Sequence, residues 1–493
     1  MTSPAMHSSL GRAARTWERA RRPDRAHVEA LKSRVPYWFV VLVLLGFSIL
    51  QIMLNPFGFS DLTQRYAQDI ANLLITGPYL YPTTGRDQVT VALIDEESLH
   101  SLQMPWPWRY GDHARALGAL LEYRPKAVVI DFLFVDERND DTLSELVDAI
   151  ARYKKAGVPL YFEGGINLPY GEAPLLPKLA ATGVPILDPS IELYDGVARQ
   201  YPTSGHCYRG SGGDTCLSAA LQVFKDVYPQ YPLAPLNDKI ELVWGTKTAP
   251  INVKLNHDAN GKPQPCSEES GALVRTYRAF FDKHTAQSAC PYTAIVPIQA
   301  LMMGLEDKDV SALIPDHVIF YGGSLQGAQD KSFTPVNSRL QPNVFVHAMA
   351  LDNLISFKGR PQQNVMTVGG TTFSNNPAQI MAIVPIVLIL SYMHMRRIRW
   401  RQKKTTRKEH GAMMEWFLGK GVEKLWHWLA FFLALGIGLL LAMWVGLSVA
   451  NWVEDVFIAV ELAAMLLIGV PDSFWGYLHH VAGGRPAHSE GAS

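Results

Sequence analysis

The chain has 493 residues, with 45 Lys+Arg against 45 Asp+Glu, 48% hydrophobic residues and only 18% charged ones. So much apolar residue excludes a wholly disordered chain, and the balanced charge gives no general reason to expect a nucleic-acid partner. A charged fraction below the ~25% of ordinary soluble proteins points to membrane segments, and the length allows more than one domain, because single cores stop growing near about 250–300 residues.

In chain order, residues 1–36 form a basic leader that includes Arg12, Arg15, Arg19, Arg21, Arg22, Arg25, Lys32 and Arg34. The first apolar run, Tyr37–Leu54, carries no charge and is close to the ~20 residues that cross a bilayer. It reads as a signal anchor rather than a cleaved signal peptide, because it is longer than the usual apolar core and no small-residue cleavage site follows. Next, Ser60–Arg65 looks helical, with Asp61 and Arg65 one turn apart.

Residues 55–377 then alternate between strands and helices. Strands are expected at Gln88–Asp95, Lys126–Phe134, Val158–Glu163, Val184–Asp188, Ile240–Trp244 and His317–Gly323, with helices at His113–Tyr123 and Asp141–Ala156. Short Val/Ile-rich runs separated by helical stretches predict an α/β domain with a largely parallel sheet and helices on its faces. The stretch 200–290, rich in Pro, Gly, Ser and cysteine, reads as an insertion.

Three further apolar runs follow. The second, Ala378–Met395, has Pro385 near its middle, a kink that helix bundles tolerate. The basic loop 396–427 comes next, then Trp428–Ala450 and Val456–Trp475, and residues 476–493 form a tail. The expected architecture is therefore the α/β extracytoplasmic domain plus a four-helix transmembrane region. Basic clusters before the first run and after the second (Arg396 to Lys408) belong in the cytoplasm under the positive-inside rule, where they meet membrane lipids. That places residues 55–377 in the periplasm of a bacterial inner-membrane protein whose N- and C-termini are cytoplasmic.

All four cysteines, Cys207, Cys216, Cys266 and Cys290, fall inside the external segment, as expected of disulfides in an oxidising compartment. Short loops close most readily, which favours Cys207–Cys216 and Cys266–Cys290; a zinc site is the alternative, although the spacings match no finger-type pattern.

Asp95 ends one expected strand, Asp131 lies in another, Asp330 follows the turn Gly322–Gly327, and His347 opens a helix-like run. In an open α/β sheet, ligands gather beyond the carboxyl ends of the strands, so these residues are candidates to line one crevice with Trp106, Trp108 and Arg109. The competing readings are helix caps and ion pairs that hold the fold, and a divalent cation site; no metal or other cofactor is expected. The turn reads as a tight bend, with anion binding as the alternative. No H-E-x-x-H, G-x-S-x-G or Walker A pattern occurs, so no catalytic residue is assigned and the chain is not expected to be an enzyme.

Within the third run, Ala430, Ala434, Gly438, Ala442, Gly446 and Ala450 recur every fourth residue, a spacing that lets helix backbones approach closely. Glu461 sits in the body of the fourth run, where a charge is costly and is usually paired against a neighbouring helix. Both features fit contacts within the chain, with a second copy, or with another subunit.

The pieces VALIDEESLH (91–100), MPWPWRYG (104–111), AVVIDFLFV (127–135), YDGVARQYPT (194–203), HVIFYGGSLQGAQDKSFTPV (317–336) and NVFVHAMALDNLIS (343–356) follow one another across most of residues 61–356. Over this stretch the chain resembles the second type of CHASE domain, the cyclase/histidine-kinase-associated sensory extracellular module. The resemblance implies a receptor with a leading span, an external sensor, three more spans and a cytoplasmic kinase or cyclase. Only about twenty residues follow the fourth run, so the output is expected in a separate protein. The expected function is an extracytoplasmic sensor that relays through its helices; the alternative is an accessory subunit of a secretion or polysaccharide-export complex, with the external domain as its docking surface.

Overall fold

The computed structural model describes most of residues 65–361, two short strands within 365–374, and scattered positions within 38–49 and 383–396. The third and fourth apolar runs, the basic loop 396–427 beyond Arg396, Asp61 and the stripe Ala430–Ala450 with Glu461 lie outside the described residues. The chain divides into two compact units, Arg65–Asn364 and a second formed by residues 1–64 and 365–493.

In the second unit, the described positions between Trp38 and Ile49 and between Ile383 and Arg396 are helical. Ile383, Val387 and Ser391 are buried, one turn apart, while Leu388 and Tyr392 are exposed. Val365–Val368 and Thr371–Ser374 pair as an antiparallel hairpin. Among the described residues, no helix is long and apolar enough to cross a membrane.

The first unit is built on strands β1 (Val89–Asp95), β2 (Ala127–Ile130), β3 (Leu160–Glu163), β4 (Ile186–Leu187), β5 (Glu192–Tyr194), β6 (Val197–Pro202), β7 (Ser204–Gly210), β8 (Gly212–Leu217), β9 (Lys239–Glu241), β10 (Ala294–Pro297) and β11 (Val318–Ser324). Its principal helices are α1 (Glu96–Leu102), α2 (Tyr110–Glu122), α3 (Leu143–Ala156), α4 (Ala219–Val227), α5 (Ala272–Phe281) and α6 (Val344–Ser356). The central sheet is six-stranded in the order β10-β1-β11-β2-β3-β4, and every pairing in it is parallel. This is the expected α/β domain.

Both faces of the sheet are covered, as parallel sheets require. Alternate residues point to opposite sides: Val89, Val91, Ala127, Val129 and Tyr161 enter one core with α4 and α6, while Ala92, Ile94, Val128, Ile130 and Phe162 enter another with α2 and α3. On α3, Leu143, Leu146, Ile150 and Tyr153 form the buried stripe, and Gly157 closes the helix in the left-handed region at φ 71°. Helix α6 is buried on all sides, from Val344 through Ile355, as a helix with no polar face must be.

Most of the expected strands are longer than those observed, whereas His317–Gly323 and the observed Val318–Ser324 have the same length. The run 126–134 forms a strand only at Ala127–Ile130, because Phe132 and Phe134 leave the ladder to pack against His113 at 5.1 and 5.3 Å between ring centroids. Lys239–Glu241 does not join the central sheet; it pairs with β6 in a separate antiparallel sheet of order β9-β6-β5. The 200–290 stretch is more regular than an insertion of loops, since it holds the β7–β8 hairpin, α4 and α5. Both disulfides join the expected partners, Cys207 to Cys216 and Cys266 to Cys290, with Cα separations of 6.0 and 5.1 Å. Arg65 bonds Asp195 at 2.6 Å and lies 3.7 Å from the centre of the Tyr194 ring.

Candidate functional site: a buried acid and histidine cluster at the carboxyl edge

Register and alternation together build the site. Ile130 pairs with Phe162, so the next residues, Asp131 and Glu163, lie side by side at the carboxyl ends of β2 and β3. Each is one residue beyond a side chain in the α2/α3 core, so both point to the opposite face, the one covered by α6. His347, in the first turn of α6, comes down onto them from above.

His347 Nε2 lies 3.7 Å from Glu163 Oε1 and 4.0 Å from Asp131 Oδ1, and one ligand atom from each of the three side chains lies within 4.8 Å of the others. The side chains of His347, Glu163 and Asp131 are 2%, 5% and 7% exposed. On its other nitrogen, Nδ1, His347 shares a hydrogen bond of 2.7 Å with the Tyr201 hydroxyl, which also accepts from the Ala220 amide. Glu163 Oε1 has no hydrogen-bond partner, and neither has the buried Oδ2 of Asp188 nearby. Asp330 locks the entry to α6: its carboxylate accepts from the Asn343 side chain and its carbonyl from the Asn343 amide.

Burial sets the protonation of this cluster, because it penalises the charged form of every member. It pushes Asp131 up to about 8, with the nearby Asp330 charge adding to the rise and a hydrogen bond from Glu163 opposing it. Glu163 is raised well above the usual carboxylate range, first by burial and then by the Asp131 charge. Burial thus biases both carboxyls of the pair toward the protonated form, and a hydrogen bond joins them. Burial also pushes His347 down to about 4, which favours the neutral imidazole. The result is a concentration of acceptor atoms, one of them unsatisfied, in a desolvated place.

Close approach of α6 to the sheet depends on Gly322 of β11. A Cβ there would lie 2.9 Å from Val344 Cβ and 3.0 Å from Asp131 Oδ2, whereas at Gly323 it would meet Phe132 at 3.3 Å. The paired glycines thus serve packing beside the site as strand residues, as the expected strand His317–Gly323 has them, and Gln326 beyond the strand lies in a turn. Gly322→Ala is expected to cost about 1–3 kcal/mol by overpacking, and Gly323→Ala clearly less, as read from urea midpoints of the two variants.

The other candidate residues disperse. Asp95 caps α1, accepting the Ser98 amide at 2.8 Å. Arg109 precedes α2 and pairs with Asp141 at 2.6 Å and Asp140 at 3.6 Å, beside a separate surface concavity of about 460 Å³ lined by Tyr110, Arg138 and Lys178. Trp108 is fully buried with its Nε1 unpaired. Trp106, joined to Pro107 by a cis peptide bond, is 41% exposed and lies 5.8 Å from Phe132, the neighbour of Asp131. The structure therefore unites Asp131, His347 and Asp330, and separates Asp95, Trp106, Trp108 and Arg109. Glu163, Asp188 and Tyr201 are the participants that sequence reasoning did not single out. Glu163 and Asp188 nevertheless carry a readable signal, an acid directly at the end of a short apolar strand.

The sequence model of the CHASE2 domain matches residues 37–389. The chain belongs to the CHASE2 family. CHASE2 is a sensory domain family, so the polar cluster lies inside a sensory domain. Compared with curated proteins and with solved structures, the chain finds no match.

Proposed function

We propose that this CHASE2 protein is a bacterial inner-membrane sensor whose α/β domain faces the periplasm, takes its input at the buried polar cluster between α6 and the carboxyl ends of β2 and β3, hereafter the crevice, and relays it to a separate protein. One observation carries the reading: Glu163 Oε1, buried and without a hydrogen-bond partner, beside His347 on the helix that precedes the second apolar run in sequence. An unsatisfied buried acceptor costs free energy, and at the carboxyl edge of a parallel sheet it is the expected mark of a guest site. A guest that favours one seating of α6 over another would bias everything attached to that helix. Apolar runs would anchor the domain, basic segments would hold the inner leaflet, and the small-residue stripe with Glu461 would serve contacts with a second copy or the output protein. No catalytic step is assigned.

A second reading, an accessory subunit of an envelope complex, is favoured by α5. Val274, Tyr277 and Phe281 are 47%, 64% and 76% exposed along one side of that helix, an apolar stripe suited to docking.

Co-purification of the full-length protein from native membranes, with and without Glu163→Gln, separates the two. The sensor reading predicts a separate signalling protein whose output changes with the substitution. A stoichiometric assembly with composition and behaviour indifferent to Glu163 would support the accessory role instead.

A further inference from the structure

We propose that Asp131 Oδ1, Glu163 Oε1 and His347 Nε2 are the three protein ligands of one divalent first-row transition metal ion. The proposal rests on reading the crevice as the input site, and it assigns the chemistry of what enters it. Two carboxylate oxygens and one imidazole nitrogen form a borderline donor set, suited to zinc, manganese or iron(II). It is poor for calcium, which takes six to eight oxygens, and the chain offers no thiolate because its four cysteines are paired.

The geometry fits. An ion about 2.1 Å from each ligand atom needs those atoms roughly 3–4 Å apart, and the two histidine–carboxylate separations are 3.7 and 4.0 Å. Beyond the spacing of the three side chains, Glu163 Oε1 is a buried atom beside His347 with no hydrogen-bond partner. The outer shell is also in place. Coordination at Nε2 requires the imidazole proton on Nδ1, and the Tyr201 hydroxyl at 2.7 Å is positioned to accept it, the arrangement that orients metal-bound histidines. Asp131 is the least enclosed of the three side chains, at 7% exposure against 5% and 2%.

The test uses full-length protein in lipid nanodiscs, stripped with EDTA, dialysed and titrated separately with ZnCl₂ and MnCl₂ by calorimetry, with bound metal counted by mass spectrometry. One ion per chain is expected for at least one of the two metals. Glu163→Gln and His347→Gln should each weaken binding about 100-fold or more, and Tyr201→Phe about 10-fold, as for loss of an outer-shell partner. Asp95→Asn, outside the cluster, should bind as the wild type does, and circular dichroism establishes that each variant is folded. Absence of stoichiometric binding of either metal to folded wild type, or equal binding by the Glu163 and His347 variants, would overturn the proposal. The two readings fail separately. If output responds to Glu163→Gln while no metal binds, the metal assignment falls and the sensory crevice stands. If one ion binds and output is indifferent to it, the metal site stands and the sensory reading falls.

Discussion

Arg199→Met is expected to lower the unfolding free energy by roughly 3–5 kcal/mol, the penalty for leaving a buried charge without its partner. Arg199, on β6, makes a two-pronged contact with Asp69, at 2.9 Å through Nε and 3.0 Å through Nη2, and donates a third bond to the Tyr194 carbonyl. The residues are 9% and 2% exposed, so solvent does little to screen the pair. Asp69 lies in the helical stretch that follows the first apolar run, and this bond ties that stretch to the antiparallel sheet. The double substitution Asp69→Leu with Arg199→Met should recover most of the loss, because it removes both charges together. Chemical denaturation of the single and double variants checks this. A loss below about 1 kcal/mol, the range of exposed pairs, would contradict it.

The second large effect is a pH dependence centred on Asp352, in the last turn of α6. Burial raises its carboxyl to about 7, against the lowering influence of hydrogen bonds from Tyr81 and Ser356, each 2.8 Å from Oδ1. Arg86 lowers it further and Asp87 raises it, while Tyr228 and Tyr292 also face it. An acid with its folded pKa above its unfolded value keeps its proton in the native state after the unfolded chain has released it. Stability therefore falls as pH rises from about 4 to about 7 and levels off above that. Below the unfolded pKa both states are protonated and the effect vanishes. At about 1.4 kcal/mol per pKa unit, the loss attributable to this residue is roughly 4 kcal/mol. Asp352→Asn keeps the Oδ1 acceptor and cannot ionise. Its stability relative to wild type should rise by about that amount between pH 4 and 7, a difference that cancels the contributions of Asp131 and Glu163. Parallel pH profiles for the two proteins would contradict the assignment.

Local pattern carried the strands of the central sheet a long way. Short Val/Ile runs mark β1, β2, β3 and β11, and the apolar stripes of α2 and α3 are visible at helical spacing. Strand β10 escaped because AIVP is four residues ending in proline, which reads against a strand except at an edge, and an edge is where it lies. Four strands of the central sheet end in or are followed at once by an acid, at Asp95, Asp131, Glu163 and Asp188. Sequence alone does not say which of these acids meet, since that depends on sheet order. Insertion of β11 between β1 and β2 carries Asp95 away from Asp131, while β2 and β3 remain neighbours and bring Asp131 to Glu163. His347 was legible because a histidine in an otherwise apolar run is conspicuous; Tyr201 was not, because its role is to hold that histidine from a strand 146 positions away.

Hydrogen exchange along α6 in the full-length protein, in lipid nanodiscs with and without saturating Zn²⁺ or Mn²⁺, tests most directly whether occupancy of the crevice is felt beyond it. The account predicts that the amides from His347 to Ser356 exchange more slowly once the metal that binds is present, and that Glu163→Gln abolishes the slowing. Unchanged exchange along α6 at saturation, or equal slowing in the variant, would contradict it.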